Sequence, residues 1–367
     1  MKTPGLIAGS YRRIFAGQGP LLLLAAAALL VAGFLEAGRI PQADPLYAAK
    51  LQAAKRMELA LRVLRDERLE RGIPIEPGID PNATGLIGSE LTALTTTLGH
   101  LPAKRTSTNP NMAGAIVAML GRAGAKSGDC AAVGFSGSFP ALNTAVLCAL
   151  QAMGLKPVIV SSLGASSYGA NHPRFTWLDM EQTLHEQGVF PWRSAAVAPG
   201  GIVSIPALFG EDGIHAMQSA FDRSGLPVLD EQGEETLIAD VERRIDLYRE
   251  SCGGQPAVFI NVGGGHLALG NCPQAPMPAT GLLPPGIRFG ESDCGLIARM
   301  AAAGTPVIHL LDIRKIAHDY GLPVDPIPLP PVPDGRVMVQ GGYSRPAAFI
   351  GLAVLAVLGG LIRARRK

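Results

Sequence analysis

The chain carries an uncharged apolar segment near each end, and this pair of segments limits its possible folds more than any other feature. Residues 14–35 contain no charged side chain, and residues 346–362 are apolar throughout. A helix that crosses a bilayer needs about 20 apolar residues, with a lower limit of about 17. We therefore expect transmembrane helices over residues 20–38 and 346–362.

Basic residues flank both apolar segments on their outer sides. Because Lys and Arg are retained in the cytoplasm, residues 1–19 and 363–367 are predicted to be cytoplasmic tails. Residues 39–345 then form an external, periplasmic domain, which the two helices anchor in the lipid bilayer of the plasma (inner) membrane. Two alternatives, a cleaved signal peptide at the first segment and a processed sorting tail at the last, leave the same domain outside. The tail charges are Lys2, Arg12, Arg13, Arg363, Arg365, Arg366 and Lys367.

The charge balance argues against nucleic acid as a partner. The chain has 32 Lys and Arg against 30 Asp and Glu. Seven of the basic residues lie in the two tails, which contain no acid, so the external part has 25 basic against 30 acidic residues and a net charge of about −5. Proteins that bind polyanions without sequence preference are normally basic. An anionic ligand must therefore be held by a local site.

The five cysteines are too few and too scattered for a disulfide framework. An oxidising compartment permits one bridge, and we expect it among Cys252, Cys272 and Cys294. Cys130 and Cys148 are expected to be buried packing residues.

The central part of the chain indicates a parallel sheet. Residues 130–135 have the pattern of a buried strand, residues 141–153 that of a helix, and residues 157–160 that of a second strand. Strand, helix and strand in this order form a βαβ unit. Similar patterns recur to residue 311, so the predicted fold class is α/β, a mostly parallel sheet with helices on both faces.

Helices are expected before the predicted sheet, and a linker is expected after it. A helix is expected from Asp44 to Gly72, and a second from Ser89 to His100. A polar loop over residues 104–110 is expected to open a third helix that ends near Gly121. Prolines dominate residues 323–333, so residues 323–345 are expected to form an extended linker that returns to the membrane.

A small-residue loop over residues 134–143 (GFSGSFPALN) joins the first predicted strand to its helix. Free backbone N–H groups and the positive end of the helix dipole favour an anion there. The loop does not match the Gly-x-Ser-x-Gly elbow of hydrolases. Its candidate ligand-binding residues are Ser136, Gly137, Ser138 and Asn143.

Two further polar loops follow predicted strands, and parallel strands bring such loops to one sheet edge, where ligands of open α/β sheets bind. The alternative for the first of these loops is a structural role. Around residues 263–268 a G-x-G-x-x-A pattern occurs, but the glycines and prolines at 270–278 oppose the long helix of a dinucleotide site, so no cofactor is expected. The candidate ligand-binding residues are Ser161, Ser162, Ser166, Ser167, Asn171, Asn261, Gly263, Gly264 and Gly265.

A compact basic patch (KRTSTN) over residues 104–109 precedes a helix start. Its side chains can clamp a carboxylate or a phosphate, although a solvated loop is the equal alternative. The seven histidines show no metal-binding spacing, so no metal is expected, and His309 is predicted to be a packed strand residue. The candidate residues of the patch are Lys104, Arg105, Ser107 and Asn109.

These motifs together resemble the poly-gamma-glutamate system protein family. The resemblance covers about residues 45–330 and rests on residues 104–110, 134–143, 161–171, 176–181 and 261–265. It implies an envelope protein associated with synthesis and export of the poly-γ-glutamate capsule. No catalytic residue comes with the resemblance. A weaker similarity to sugar isomerase domains, over residues 130–165, is an analogy of anion-binding geometry alone.

Two functions follow as hypotheses. The first is a membrane-anchored accessory protein whose external domain binds the carboxylates of poly-γ-glutamate, or partner membrane proteins of the same system. The second is a hydrolase or transferase that acts on γ-glutamyl chains, with Ser136 or Ser138 as nucleophile and His172 or His266 as base. Asp179 is an acid or base candidate, although a carboxylate at a helix start more often caps the helix.

Overall fold

A computed structural model describes residues 19–37, 40–200, 205–229, 237–270, 277–289, 295–342 and 345–364. The chain divides into two compact units. The smaller unit consists of the residues up to Asp44 together with those from Val339 onward, and the larger unit is Pro45–Met338.

Helices and strands alternate along most of the described chain. The helices are α1 (Gly19–Ala37), α2 (Tyr47–Glu70), α3 (Leu101–Ser107), α4 (Met112–Arg122), α5 (Pro140–Met153), α6 (Trp177–Glu186), α7 (Ile205–Ser224), α8 (Leu237–Cys252), α9 (His266–Leu269), α10 (Leu296–Ala302), α11 (Ile313–Tyr320) and α12 (Arg345–Ala364). The strands are β1 (Ile40–Ala43), β2 (Thr95–Thr97), β3 (Cys130–Ser136), β4 (Lys156–Ser162), β5 (Ala165–Ser166), β6 (Asn171–His172), β7 (Phe175–Thr176), β8 (Ala196–Ala198), β9 (Val258–Val262), β10 (Gly281–Leu283), β11 (Val307–Leu310) and β12 (Val339–Gly342).

The smaller unit contains the two apolar terminal helices and one antiparallel strand pair, β1 with β12. Among the described residues, one helix is long and apolar enough to cross a membrane, Pro346–Ala364, with a mean hydropathy of 2.2. The apolar part of α1, Gly19–Leu35, is shorter than that. The two helices contact each other, and a methyl group added to Gly351 would come 2.6 Å from Cγ1 of Val31.

The larger unit is built on a six-stranded sheet in the order β10-β11-β9-β3-β4-β8. All neighbouring strands are parallel except β10, which pairs antiparallel with β11 at the edge. The α/β class and the mostly parallel sheet predicted from the sequence are thus confirmed.

Helices cover both faces of this sheet, because successive strand residues point to opposite sides. In β3, Val133 and Phe135 belong to a hydrophobic cluster that includes residues of α2, α4 and α5. Ala132 belongs to a second cluster that includes residues of α8 and α10. The strands are buried on both faces, which explains why they read as continuous apolar runs.

The helix predicted over residues 141–153 is confirmed, and the residues at its two ends explain where it begins and ends. Pro140 occupies the first turn of α5, where its missing N–H costs nothing, and Gly154 ends the helix in the left-handed conformation (φ +69°). In α2, the buried Met57, Leu61 and Leu64 recur at helical spacing and face the core.

Two expectations ahead of the sheet are wrong. Ser89–His100 is not helical, since the β-branched residues Thr95–Thr97 form strand β2 and pair with β5. Residues 104–107, expected in a loop, lie in helix α3.

The proline-rich segment differs from the expected extended linker. Its first part packs on the larger unit, which continues to Met338. Asn82 donates to the carbonyl oxygen of Pro326, and Asn111 donates to that of Pro331. Backbone carbonyls of a segment rich in proline remain available as acceptors, so side chains of the domain hold the segment in place.

The disulfide bond joins Cys130, at the start of β3, to Cys252, at the end of α8. Their Cα atoms are 5.6 Å apart. The expectation of a bridge within the last three cysteines, with Cys130 as a packing residue, is therefore wrong, because the fold brings together residues 122 positions apart. Cys148 is a buried free thiol, as expected. Cys272 and Cys294 lie outside the described residues.

Candidate functional site

The sheet has a topological switch point between β3 and β9. After β3, the chain adds β4 and β8 on one side, then returns to add β9 and β11 on the other. The loops that leave the carboxyl ends of β3 and β9 therefore run in opposite directions and open a crevice. Open α/β sheets bind their ligands at such a point.

A cleft of about 430 Å³ lies at this carboxyl edge. The loops after four parallel strands contribute to it, together with the segment from β2 to α3. Its lining residues are Thr96, Thr97, Leu98, Gly99, His100, Ala103, Lys104, Ser136, Ser138, Phe139, Gly164, Ser166, Gly264, Gly265, Leu269, Met277, Leu311, Asp312, Ile313 and Arg314. The three small-residue loops singled out in the sequence thus converge on one concave site.

Glycine is required where these loops touch. A methyl group on Gly137 would lie 2.4 Å from the carbonyl oxygen of Leu163. Gly263 has φ +95°, and a methyl group there would lie 3.0 Å from Cβ of Ser136. Both positions exclude a side chain, the second also because its backbone conformation is strained for other residues. The glycines therefore allow the loops after β3, β4 and β9 to approach one another.

Lys104 is the buried cation of the cleft, with 2% of its surface exposed. Its Nζ donates to the carbonyl oxygen of Ser138, and to Oγ of Ser166 at 2.7 Å. The same nitrogen lies 3.9 Å from the centre of the Phe139 ring. In the part of the chain that the structure describes, no carboxylate forms a salt bridge with it. Burial lowers the pKa of Lys104 to about 7.

Hydrogen bonds from backbone N–H groups to serine hydroxyl oxygens link Ser136, Ser138 and Ser166 beside this lysine. Ser138 N–H donates to Oγ of Ser136 at 3.1 Å, and Ser166 N–H donates to Oγ of Ser138 at 3.0 Å. Gly137 N–H donates to the carbonyl oxygen of Ser162. The N–H groups of this loop were expected to be free for an anion, and for Gly137 and Ser138 that expectation is wrong, because the carbonyl oxygen of Ser162 and Oγ of Ser136 already accept from them. The positive group offered to a ligand is the Lys104 ammonium instead.

The mouth of the cleft combines charged and apolar side chains. His100 and Arg314 are exposed on its rim, and Asp312 accepts from Lys315 N–H at the start of α11. Leu98 and Met277, 85% and 70% exposed, form apolar parts of the wall. The site therefore suits a ligand that carries anionic groups on a partly aliphatic chain.

Polar side chains behind the cleft hold its loops in position. Asn261 Nδ2 donates to the carbonyl oxygen of Gly263 at 2.8 Å and lies 3.2 Å from His309 Nδ1. Asn143 Nδ2 donates to the carbonyl oxygen of Ser136 at 2.9 Å. His309 is a fully buried strand residue, as predicted, and burial lowers its pKa to about 4.

Of the predicted basic patch, only Lys104 lines the cleft. Arg105 forms an ion pair with Asp325 at 3.1 Å. Ser107 Oγ donates to the carbonyl oxygen of Lys104, and Asn109 Oδ1 accepts from the N–H of Asn111. Consecutive residues of a helix point in different directions, so Lys104 and Arg105 cannot clamp one ligand group.

The remaining predicted ligands serve the loops themselves. Ser161 Oγ lies 2.7 Å from Ser194 Oγ and accepts from Trp177 Nε1, while Ser162 Oγ accepts from Arg244. Ser167 N–H donates to the carbonyl oxygen of Thr97, and Asn171 bonds the backbone of Ser89. These residues do not line the cleft.

The three non-serine catalytic candidates also lie outside the cleft lining. His172 Nδ1 accepts from Arg174 N–H. Asp179 closes a capping box at the start of α6 by accepting from the N–H and the hydroxyl group of Thr176. His266 is half-buried in helix α9, which has four residues, so the prediction that no long helix begins here is confirmed.

Sequence reasoning missed the β2–α3 segment, Met277 and the loop that follows β11. The rule that selected the other loops, polar residues after a parallel strand, also selects Asp312 and Arg314. No comparable signal marks Thr96–Gly99 or Met277, because their positions depend on packing between segments distant in the sequence.

The chain is thus an α/β protein with a cleft at the switch point of its parallel sheet. No protein-family model, curated protein or solved structure matches the chain. Within the described residues, no group of His, Cys, Asp and Glu side chains is arranged to hold a metal ion.

Proposed function

We propose that this chain is a membrane-anchored accessory protein of a poly-γ-glutamate synthesis or export system, and that its cleft binds carboxylates of the polymer. The observation that carries the proposal is Lys104, a buried cation that faces a cleft and has no acidic partner among the described residues. Buried charges in proteins are normally paired, and a ligand carboxylate supplies the missing partner.

The cleft composition agrees with this ligand class. A γ-glutamyl chain alternates carboxylates with methylene groups and amides, so it needs cations, apolar walls and hydrogen-bonding groups together. Lys104 and Arg314 supply the positive charge, Leu98 and Leu311 the apolar contacts, and the serine hydroxyl groups the polar contacts. The resemblance of residues 45–330 to the poly-gamma-glutamate system family supports the same assignment.

We further propose that both apolar terminal segments span the membrane, with both tails in the cytoplasm. The apolar helix Pro346–Ala364 and the bond between Cys130 and Cys252 support an external domain, since disulfides persist in oxidising compartments. Reporter enzymes fused to each terminus test the topology. Activity of a periplasm-dependent reporter at either end contradicts the two-span arrangement.

A binding assay on the full-length protein in detergent tests the ligand. Oligo-γ-glutamate is titrated against wild type, Lys104→Met and Lys126→Met, the last replacing an exposed lysine outside the cleft. Lys104→Met is expected to weaken binding about 10- to 100-fold, the range for a hydrogen bond to a charged group. Unchanged affinity in Lys104→Met, or no affinity in wild type at low salt, rejects the proposal. Retained binding to a partner membrane protein of the system would then favour the alternative in which the external domain binds partner proteins and not the polymer.

A second candidate is an enzyme that cuts or transfers γ-glutamyl chains. One contact favours it, the 2.7 Å approach of Lys104 Nζ to Ser166 Oγ, which is the separation required of a base and a nucleophile. In this reaction Ser166 Oγ gives its proton to the neutral lysine and attacks the amide carbon. The departing amine takes that proton back, and water then releases the acyl group from Ser166.

The sequence suggested Ser136 or Ser138 as the nucleophile, whereas the contact with Lys104 supports Ser166 for this role. Ser166→Ala removes the nucleophile but leaves the Lys104 cation, so under the binding hypothesis it retains affinity and leaves polymer length unchanged. Under the enzyme hypothesis, wild type shortens oligo-γ-glutamate and Ser166→Ala does not. Mass spectra of the oligomer after incubation with each protein separate the two functions.

A further inference from the structure

Three arginines form a second basic site outside the cleft. Arg71 follows the end of α2, Arg174 lies between β6 and β7, and Arg223 is in the last turn of α7. These three residues, the arginine cluster, line a hollow of about 370 Å³. The external domain has a net negative charge, so this cluster is a local feature that the fold creates and not part of a generally basic surface.

The guanidinium groups of Arg71 and Arg223 are held in position by backbone and aromatic contacts. Arg71 Nη1 donates to the carbonyl oxygen of Arg174 at 3.0 Å, and its Cζ lies 5.0 Å from the centre of the Phe175 ring. Arg223 Nη2 donates to the carbonyl oxygen of Pro173 at 2.8 Å. The positions of these two guanidinium groups are therefore set before any ligand binds, which reduces the ordering cost of binding.

Positive charge is in excess at this cluster. Arg71 pairs with Glu67 at 2.7 Å and with Asp179 at 3.4 Å, and Arg223 pairs with the same Asp179 at 2.9 Å, so two carboxylates face three guanidinium groups. Thr176 already donates two hydrogen bonds to the Asp179 carboxylate. Arg174 is exposed and, among the described residues, has no acidic partner. Since each guanidinium carries five N–H donors, several remain for an oxyanion.

We propose that the arginine cluster is a second oxyanion site, and that it holds a carboxylate of the same polymer strand that the cleft binds. This inference rests on the proposed function. Arginine suits the role because its planar fork binds carboxylates and phosphates through two parallel hydrogen bonds. Two separate contact points on one strand raise the affinity for long chains over short ones.

The two sites are close enough for one strand. Ser166, in the cleft, and Arg174, in the cluster, are joined by eight residues of chain, which reach at most about 29 Å when fully extended. A γ-glutamyl repeat lengthens the polymer by about 6 Å, from five backbone bonds of about 1.3–1.5 Å each. An extended decamer, about 60 Å long, can therefore span both sites, whereas a dimer, about 12 Å long, can bind within one site.

Calorimetric titration of the full-length protein in detergent tests the inference with a γ-glutamyl dimer, a γ-glutamyl decamer and inorganic phosphate. The variants are Arg174→Gln, which removes the arginine lacking an acidic partner, and Arg62→Gln, an exposed arginine of α2 that serves as the matched control. We expect Arg174→Gln to weaken decamer binding about three- to tenfold, as for partly exposed charge-assisted contacts, and to leave dimer binding in the cleft unchanged. Arg62→Gln is expected to bind both as wild type does.

The outcomes separate this inference from the proposed function. Equal decamer affinity in Arg174→Gln and wild type rejects the second site. If Lys104→Met is the only variant that no longer binds the dimer and the decamer, the proposed function of the cleft is still supported. Phosphate binding that depends on Arg174, in a protein that binds neither oligomer, supports an oxyanion site and rejects the polymer as its ligand.

Discussion

The ammonium nitrogen of Lys104 lies 2.7 Å from the hydroxyl oxygen of Ser166. The first residue belongs to a helix that precedes the sheet, and the second to the short strand β5 that follows β4. Their contact connects the segment before the sheet to its carboxyl edge, and it puts a titratable cation beside a hydroxyl group within a cleft.

Replacing Lys104 by Met changes how stability depends on pH. Burial lowers the pKa of Lys104 to about 7 in the folded protein, whereas the unfolded chain keeps the proton up to its ordinary pKa of 10.5. Unfolding above pH 7 therefore takes up a proton, so the free energy of unfolding rises with pH by up to about 1.4 kcal/mol per pH unit. Urea denaturation at pH 7 and 9 should show this rise in wild type and in Lys126→Met, and not in Lys104→Met. Parallel pH dependence in all three proteins contradicts the buried position of Lys104.

The direction of the pH effect on the cleft separates binding from catalysis. A carboxylate is held by the protonated lysine, so affinity for oligo-γ-glutamate should fall above pH 7, by up to about tenfold per pH unit. A nucleophilic Ser166 needs the neutral lysine as base, so turnover should rise over the same range. Calorimetry and product analysis at pH 6, 7 and 8 measure both. Affinity that is constant over this range is incompatible with Lys104 as the anion-binding group.

Gly137→Ala tests the close contact between the loops after β3 and β4. The added methyl group would lie 2.4 Å from the carbonyl oxygen of Leu163 and 3.2 Å from Cβ of Ala165, so one loop must move. Forced shifts of this kind cost about 1–3 kcal/mol of stability, and the movement should also weaken ligand binding. Gly78→Ala, where nothing lies within 4 Å, is the control and should change stability by less than about 0.5 kcal/mol. Equal denaturation midpoints for the two variants would show that the loops are not in contact.

The sequence predicted the sheet better than the site because the two depend on different information. Buried strands and the cap residues Pro140 and Gly154 are local signals, so the βαβ unit could be read directly. The strand-end rule also selected Ser136, Ser166 and Gly264. Whether a selected side chain faces the cleft or its own loop is decided by neighbours distant in sequence. Lys104 and Arg105 are adjacent, yet one contacts Ser166 and the other Asp325.

The disulfide bond between Cys130 and Cys252 could not be predicted from the spacing of the cysteines, which favoured a bridge within the last three. It closes a loop of 122 residues, and removing such a bond costs about 2–4 kcal/mol. The double variant Cys130→Ser/Cys252→Ser should therefore unfold at a lower denaturant concentration than oxidised wild type, and peptide mapping should find the two cysteines joined. A bond from Cys252 to Cys272 or Cys294 in the mapped peptides contradicts the assignment.

Asp179→Asn tests whether this carboxylate caps a helix or takes part in catalysis. Burial acts to raise the pKa of Asp179, but hydrogen bonds from Arg223 and Thr176 outweigh it and hold the pKa below its ordinary value. The stabilisation is therefore complete above the ordinary pKa of 3.8 and is lost as pH falls through the lower value of the folded protein. At pH 7 the variant should lose about 1–3 kcal/mol, and the difference from wild type should shrink in acid below pH 3.8. Loss of turnover on oligo-γ-glutamate without loss of stability would instead assign Asp179 to catalysis. The contacts favour the structural outcome, because the Asp179 carboxylate bonds Thr176 and Arg223 and does not line the cleft.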